Sequence, residues 1–403
     1  MTVASVQRSR YRDAWAVGEF RAIFASFVIS MLGTVVAELA LTVLVYGRSR
    51  SPLLAALVFT VGFMPYLLAG TLLSSLVDRL APRRLLVVCN LLSGTVAALM
   101  AVPAAPVPVL LVLASLLGLI APVFAGTRAA TIADVLPDHA YAPGRSLLRV
   151  VTQGAQIAGF AVGGALLTVI SPSGALLVNA ACFVTSAAVL RIGTRERLPH
   201  ADARPPLLRD SLSGLGQVLR FRPVGQILAI AWVLPMLAAA PEALAIPYAR
   251  ELHAGSVQTG LLMGALPTGF VLGEVLITWL ASPALQVRWV AALNMVMFVP
   301  LLVYVMRPCL VVTLLVLLTA GVGGAQHLGL DRLLLATAPD ALRARALALQ
   351  AAGLMFWQGM GFALSGAVAE IVPLHLVVFG AAVVGVVAAF LITRGLPRSV
   401  PAD

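Results

Sequence analysis

Along the chain, long apolar runs alternate with short charged, proline and glycine punctuation. A membrane-crossing helix needs about 20 apolar residues, and twelve runs meet or approach that length. Cut at their polar boundaries, they are 21–46, 52–77, 85–102, 108–133, 145–170 and 173–191, then 223–249, 257–281, 288–306, 309–332, 344–371 and 374–393. The pattern predicts an all-α, polytopic membrane protein with six spans, a linker and six more. Domains are expected at 1–191 and 223–403, joined by a cytoplasmic linker over 192–222. Tight turns near Pro172 and Pro373 separate the closest neighbours.

Composition sharpens the class. The chain is 61% hydrophobic and 11% charged, against about a quarter charged in soluble domains. A soluble protein with so little polar surface is excluded. The apolar run after Arg21 continues past Leu44 and carries Glu38, so it is expected to be a first span and not a cleaved leader.

Charge placement gives direction. All 27 basic residues are arginine. With both termini cytoplasmic, 23 lie in the N-terminal tail, the inner loops and ends, the linker and the C-terminal tail, and 4 lie outside: Arg48, Arg50, Arg250 and Arg307. Arginine in short loops marks the cytoplasmic side. The same placement explains the net charge of +11 without a nucleic-acid partner. The linker is rich in arginine, and Leu208–Leu219 reads either as part of a tether or as an amphipathic helix on the inner leaflet.

An internal repeat accompanies the 6+6 count. GFAVGGA at 159–165 returns as GFALSGA at 361–367, an offset of 202 that also aligns Gln156 with Gln358 and Pro137-Asp138 with Pro339-Asp340. The phrase falls in the fifth span of each half. Gly159, Gly163 and Gly164 in one copy, and Gly361 and Ser365 in the other, supply small residues that let helix backbones approach. Parallel repeats of this kind build transporters.

Ionisable groups inside spans are costly and point to function. Glu38 in span one and Glu242 in span seven occupy nearly equivalent repeat positions. Either suits a proton-coupling carboxylate, since burial favours the protonated form of an acid; the alternative is a water-exposed acid near the outer surface. Glu274 in span eight reads as a second proton site or an interhelical hydrogen-bond partner. His327 in span ten reads as a titrating group or a structural histidine. Arg128 with Asp134 in span four, and Asp331 with Arg332 in span ten, are expected to form pairs at the inner gate. Glu370, at the outer end of span eleven, is expected to be solvated. Phe27, Trp232, Met236, Asn294, Phe356, Trp357 and Gln358 are candidates to line a substrate cavity. Cys89, Cys182 and Cys309 have no metal or disulfide spacing, and no metal or cofactor is expected. No G-x-x-x-x-G-K-[ST] phosphate loop is present, and no hydrolase or zinc signature suggests an enzyme.

Within SSLVDRLAPRR, Ser74–Arg84, the residues Leu76, Asp78, Arg79 and Arg83 match G-x-L-x-D-R-x-G-R-R/K, with Ser74, Ala81 and Pro82 replacing other positions. That loop, with the 6+6 repeat, resembles the major facilitator superfamily. The resemblance implies that Asp78 caps the eleventh helix and that the loop arginines pair with an acid at the inner end of the fourth, here Asp134. GFAVGG is similar to the fifth-helix signature of proton-coupled exporters, G-x-x-x-G-P-x-x-G-G, with Ala155 and Phe160 as departures. The segments FRAIFASFVISMLG, PYLLAG, DRLAPRR and APVFAGTRAATIADVLP resemble the bacterial drug, macrolide and siderophore exporters. The resemblance implies helices one, four, seven and ten around a central cavity, a working monomer in the bacterial inner membrane, and proton-driven export of an amphipathic small molecule. Import of a small metabolite, or a non-transporting membrane subunit, are the alternative readings.

Overall fold

A computed structural model describes residues 12–63, 80–197, 222–339 and 342–393. The described residues form helices joined by short turns, with no strand among them. In the first half these are α1 (Gly18–Ser49), α2 (Pro52–Phe63), α3 (Pro82–Met100), α4 (Val107–Val135), α5 (Asp138–Leu166) and α6 (Pro172–Gly193). In the second half, span seven comprises α7 (Arg222–Ala238), α8 (Ala240–Ala243) and α9 (Ala245–Glu251), and span eight is α10 (Ser256–Leu280). Span nine contains α11 (Pro283–Arg288), α12 (Val290–Phe298) and a 3-10 segment, Pro300–Met306. Span ten divides into α13 (Leu310–Gly323) and α14 (Gln326–Thr337), followed by α15 (Arg343–Val368) and α16 (Leu374–Thr393).

The punctuation acts as expected. Prolines sit in the first turn of α2, α3, α6 and α11, where a missing N–H costs nothing. Ser171 Oγ accepts the Gly174 N–H at 3.1 Å and caps α6. By length and composition, nine helical spans among the described residues can cross a membrane, with Pro52–Phe63 and Val290–Met306 shorter apolar helices. α5 completes the twelve. It begins seven residues before the expected edge at 145, because the polar stretch from Asp138 to Arg149 continues the helix instead of forming a loop.

The chain separates into two compact units, Met1–Leu41 with Leu68–Pro205, and Thr42–Leu67 with Pro206–Asp403. The expected halves meet at the linker; the contacts instead group Thr42–Leu67 with the second half, because α2 packs along α15. Phe362 touches both Phe59 and Phe63, with ring centroids 5.2 and 5.5 Å apart. Thr60 Oγ1 donates to Gly359 O at 3.1 Å, and Gly366 lies against Ala56.

In the first unit, Phe20, Ile23, Leu86, Ile132, Leu136, Ala140 and Leu190 form one buried cluster that ties α1, α3, α4, α5 and α6 together. Ser26 and Ser186 hydroxyls meet at 2.6 Å between α1 and α6. Leu91, Leu92, Leu99, Val112, Val162, Leu272, Leu276 and Trp279 are exposed. Such apolar outer faces suit lipid.

Candidate functional site

The repeat motif does in each unit what its small residues allow. In the first, a Cβ on Gly159 would fall 2.7 Å from Val35 Cβ, and one on Gly163 3.2 Å from Leu39 Cδ2, so α5 lies directly on α1. In the second, a Cβ on Gly361 would overlap the Met236 carbonyl, so α15 lies on α7. Val35 and Met236 are themselves almost one repeat apart. Gly164 and Ser365 are buried.

A second glycine seam, which the repeat does not reveal, lies between α10 and α13. A Cβ at Gly269 would overlap Leu318 O, one at Gly273 would fall 2.5 Å from Val322 O, and one at Gly321 would overlap Leu266 O. The backbones therefore touch. The sequence signal is G-x-x-x-G in GFVLG, 269–273. Immediately beyond the seam, span ten breaks: Gly324 N bonds Gly321 O at 2.8 Å and Ala325 N bonds Val322 O at 3.2 Å, tighter turns than an α-helix makes.

The seam and the break bring together two residues that the sequence offers separately. Glu274 follows Gly273, His327 is the second residue of the helix after the break, and Glu274 Oε1 lies 3.9 Å from His327 Nε2. His327 Nδ1 is 2.9 Å from Gly324 O. A carbonyl only accepts, so this contact puts a hydrogen on Nδ1 and leaves Nε2 as the ring nitrogen that faces Glu274. The Phe270 ring stacks on the imidazole at 5.1 Å and 16°. Both side chains keep some exposure, 25% for Glu274 and 29% for His327. The arrangement sets a carboxylate within ion-pair distance of an imidazole beside a helix break.

Below this pair on α14, the expected inner-gate pairing of Asp331 with Arg332 is replaced by two separate contacts. Gln350 Nε2 donates to Asp331 Oδ1 at 2.8 Å, and Arg332 Nε donates to Gln286 Oε1 at 2.8 Å. Neighbours in sequence on a helix point apart, so each finds a partner on a different element. Trp232 Nε1 donates to Gln350 O at 3.2 Å.

The other predicted residues are more dispersed. Glu38 is half-buried on α1, next to the Leu39 that packs on Gly163. Glu242 is half-buried on the one-turn α8, between breaks at Ala239 and Leu244. Arg128 stacks over Phe27 at 3.7 Å from the ring centroid, with Phe124 at 5.5 Å. Phe27 is thereby a cation platform and is 6% exposed. Asp134 is exposed near the end of α4. Of the loop residues, Asp78 and Arg79 lie outside the described residues, as does most of the linker. Arg83 donates to the Arg191 carbonyl and Arg84 pairs with Glu196 at 2.6 Å, both at the end of α6. Asn294 is fully buried and bonds Val290 O at 2.8 Å, which removes it from a cavity lining. Met236, Phe356, Trp357 and Gln358 are half-buried, and the rings of Phe356 and Trp357 meet edge-on at 5.7 Å. Glu370 is exposed but engaged: it accepts from Ser51 Oγ and, at 3.1 Å, from Leu53 N–H at the start of α2. No cluster of His, Cys, Asp and Glu fit for a metal occurs among the described residues.

The sequence profile described as Major Facilitator Superfamily matches residues 22–326. The chain belongs to this superfamily. Solved structures of superfamily-like transporters share its fold at low identity. A bacterial homologue of the human lysosomal transporter Spinster aligns at a TM-score of 0.70 and 14% identity, covering 94% of this chain and 97% of that one. A D-xylose–proton symporter aligns at 0.68 and 16%, covering 94% and 98%. The nucleoside transporter NupG aligns at 0.71 and 16%, covering 93% and 98%. A search of the curated proteins finds no match. The chain is thus a multi-pass membrane transporter of the major facilitator type, and the cargoes named among similar structures are diverse.

Proposed function

We propose that this major facilitator is a proton-coupled exporter of hydrophobic or amphipathic small molecules, working by alternating access. The observation that carries the reading is the Glu274–His327 pair, 3.9 Å apart at the break in span ten. A carboxylate and an imidazole within a membrane span suit a proton relay, and the break gives their protonation a mechanical outlet. When the pair gains a proton, its charge changes and its hold on α10 changes with it. When the proton leaves on the other side, the original contact returns. Glu38 and Glu242, each half-buried in a span, are the further groups through which the cycle is proposed to move protons or attract cargo. The largely apolar spans support amphipathic cargo over a hydrophilic metabolite, and the fifth-span glycines resemble those of proton-coupled exporters. The reading places a monomer in a bacterial inner membrane with cytoplasmic termini, following the arginine bias. Asp78, Arg79, Arg83, Arg128 and Asp134 are proposed to act at the cytoplasmic gate.

The test is accumulation of ethidium by an efflux-deficient bacterium expressing the protein, with and without a protonophore. The reading expects lower accumulation with the wild type, abolished by the protonophore and by Glu274→Gln at equal protein level. Export that persists with the gradient collapsed contradicts it.

A further inference from the structure

The tenth span carries a second acid that the proton pair does not use. Asp331 lies about one turn beyond His327 on α14, four positions on and on the same face. One of its oxygens, Oδ1, accepts from Gln350 Nε2 at 2.8 Å. Among the described residues no cation pairs with it. The adjacent Arg332 is turned to Gln286 Oε1 at 2.8 Å. A carboxylate inside a span without a counter-ion is costly, and such groups mark substrate or ion pathways.

The side chain that holds Asp331 belongs to the residue that also holds an aromatic ring. Trp232 Nε1 donates to the Gln350 carbonyl at 3.2 Å. One turn along α15, Gly353 leaves room for the indole: a Cβ there would fall 2.7 Å from Trp232 Cζ2 and overlap the ring. The indole is therefore seated against the α15 backbone at a fixed height, joined to Asp331 through one glutamine. Trp232, Gln350 and Asp331 are each only partly buried. A fixed carboxylate with a fixed indole is a recognition element for a cation with an apolar body: the acid supplies charge, and the ring face supplies both apolar area and cation–π attraction.

Position fits cargo entry. α14 ends and α15 begins on the same side of the membrane as the start of α7, so Asp331 and Gln350 lie about 9–11 Å along their helices from that side. In a twelve-span chain this is also the side of both termini.

We propose that Asp331, positioned by Gln350 beside Trp232, is the cargo subsite of this transporter and that it takes lipophilic organic cations from the side of the chain termini. The inference rests on the exporter reading for its direction, but not for its binding chemistry. Proton coupling belongs to Glu274 and His327, and cargo charge to Asp331.

The experiment uses the purified full chain in detergent and in vesicles, with tetraphenylphosphonium and ethidium as probes. Both keep their charge at every pH used. Asp331→Asn preserves an acceptor for Gln350 and so preserves the packing; an unchanged melting temperature checks this. The expected result is saturable binding to the wild type, weakened about tenfold or more by Asp331→Asn and partly restored by Asp331→Glu. Trp232→Leu is expected to weaken binding by a smaller factor, and Gly154→Ala, on an open face of α5, to leave it unchanged. Failure of the wild type to bind either probe overturns the subsite, as does equal binding by a folded Asp331→Asn protein. The proton-coupled reading fails separately, if Glu274→Gln vesicles still concentrate the cation under a pH gradient.

Discussion

Glu274 and His327 stand 3.9 Å apart because Gly273 and Gly324, next to them or one turn away, have no side chains. A Cβ on Gly273 would fall 2.5 Å from Val322 O, and one on Gly324 2.5 Å from the Phe270 ring. The pair is thus a consequence of backbone contact between α10 and α13, with Phe270 held on the imidazole by the same approach. Chemistry and packing share a few residues, and substitutions can separate them.

The seam predicts a graded cost of bulk. Gly269→Val forces a side chain into the Leu318 backbone carbonyl, which cannot rotate away. Its expected destabilisation is about 1–3 kcal/mol or more, read as a lowered melting temperature and loss of monodisperse protein. Gly154→Ala, on α5 with nothing within 4 Å of the new carbon, is the control and is expected to change stability by less than about 1 kcal/mol.

The repeat predicts a like response in both units, with a difference in degree. Gly159→Val meets Val35 Cβ, which no rotamer change moves, at 2.7 Å, whereas Gly361→Val overlaps the Met236 backbone carbonyl more deeply. Both variants are expected to lose stability, Gly361→Val more. Side-by-side thermal melting of the two purified variants checks the order.

Much of this framework was legible in the sequence. Hydropathy fixes the spans because every lipid-exposed face must be apolar, and all twelve predicted runs have helical counterparts in the described residues. The offset of 202 located the Gly159 and Gly361 contacts, since equivalent helices pack alike. The Glu274–His327 pair was not legible as a pair: it depends on the register of α10 against α13, set by contacts between residues far apart in the chain. Nor was the engagement of Glu370, because an exposed acid at a helix end looks solvated until the start of another helix lies beside it. Asn294 lines no cavity for the converse reason: it is fully buried, and its Nδ2 bonds Val290 O on its own helix, with Oδ1 left without a hydrogen-bond partner among the described residues.

Arg128 and Phe27 give a third prediction. A guanidinium at 3.7 Å from a ring centroid stacks with a planar geometry that an ammonium does not reproduce. Arg128→Lys is expected to cost about 0.5–2 kcal/mol, and a double-mutant cycle with Phe27→Leu to show coupling of the same sign. Thermal melting of the four proteins measures it.

The hold of Glu370 on the start of α2 predicts a local effect. Glu370→Gln weakens acceptance from Ser51 and from the Leu53 N–H, so the first turn of α2 opens more often. With Cys89, Cys182 and Cys309 replaced by serine, a cysteine reporter substituted at Leu54 is expected to react about twofold or more faster with a membrane-impermeant maleimide in the Glu370→Gln background. Equal labelling would show that the carboxylate is not holding the turn.

The most direct test of the account separates movement of cargo from movement of protons at Glu274. Wild type and Glu274→Gln, reconstituted in vesicles, are assayed for exchange of labelled tetraphenylphosphonium at equal pH on both sides and for its uphill movement under a pH gradient. Both proteins are expected to exchange the cation, and only the wild type to concentrate it. Uphill movement by Glu274→Gln at the wild-type rate would contradict the role assigned to the pair.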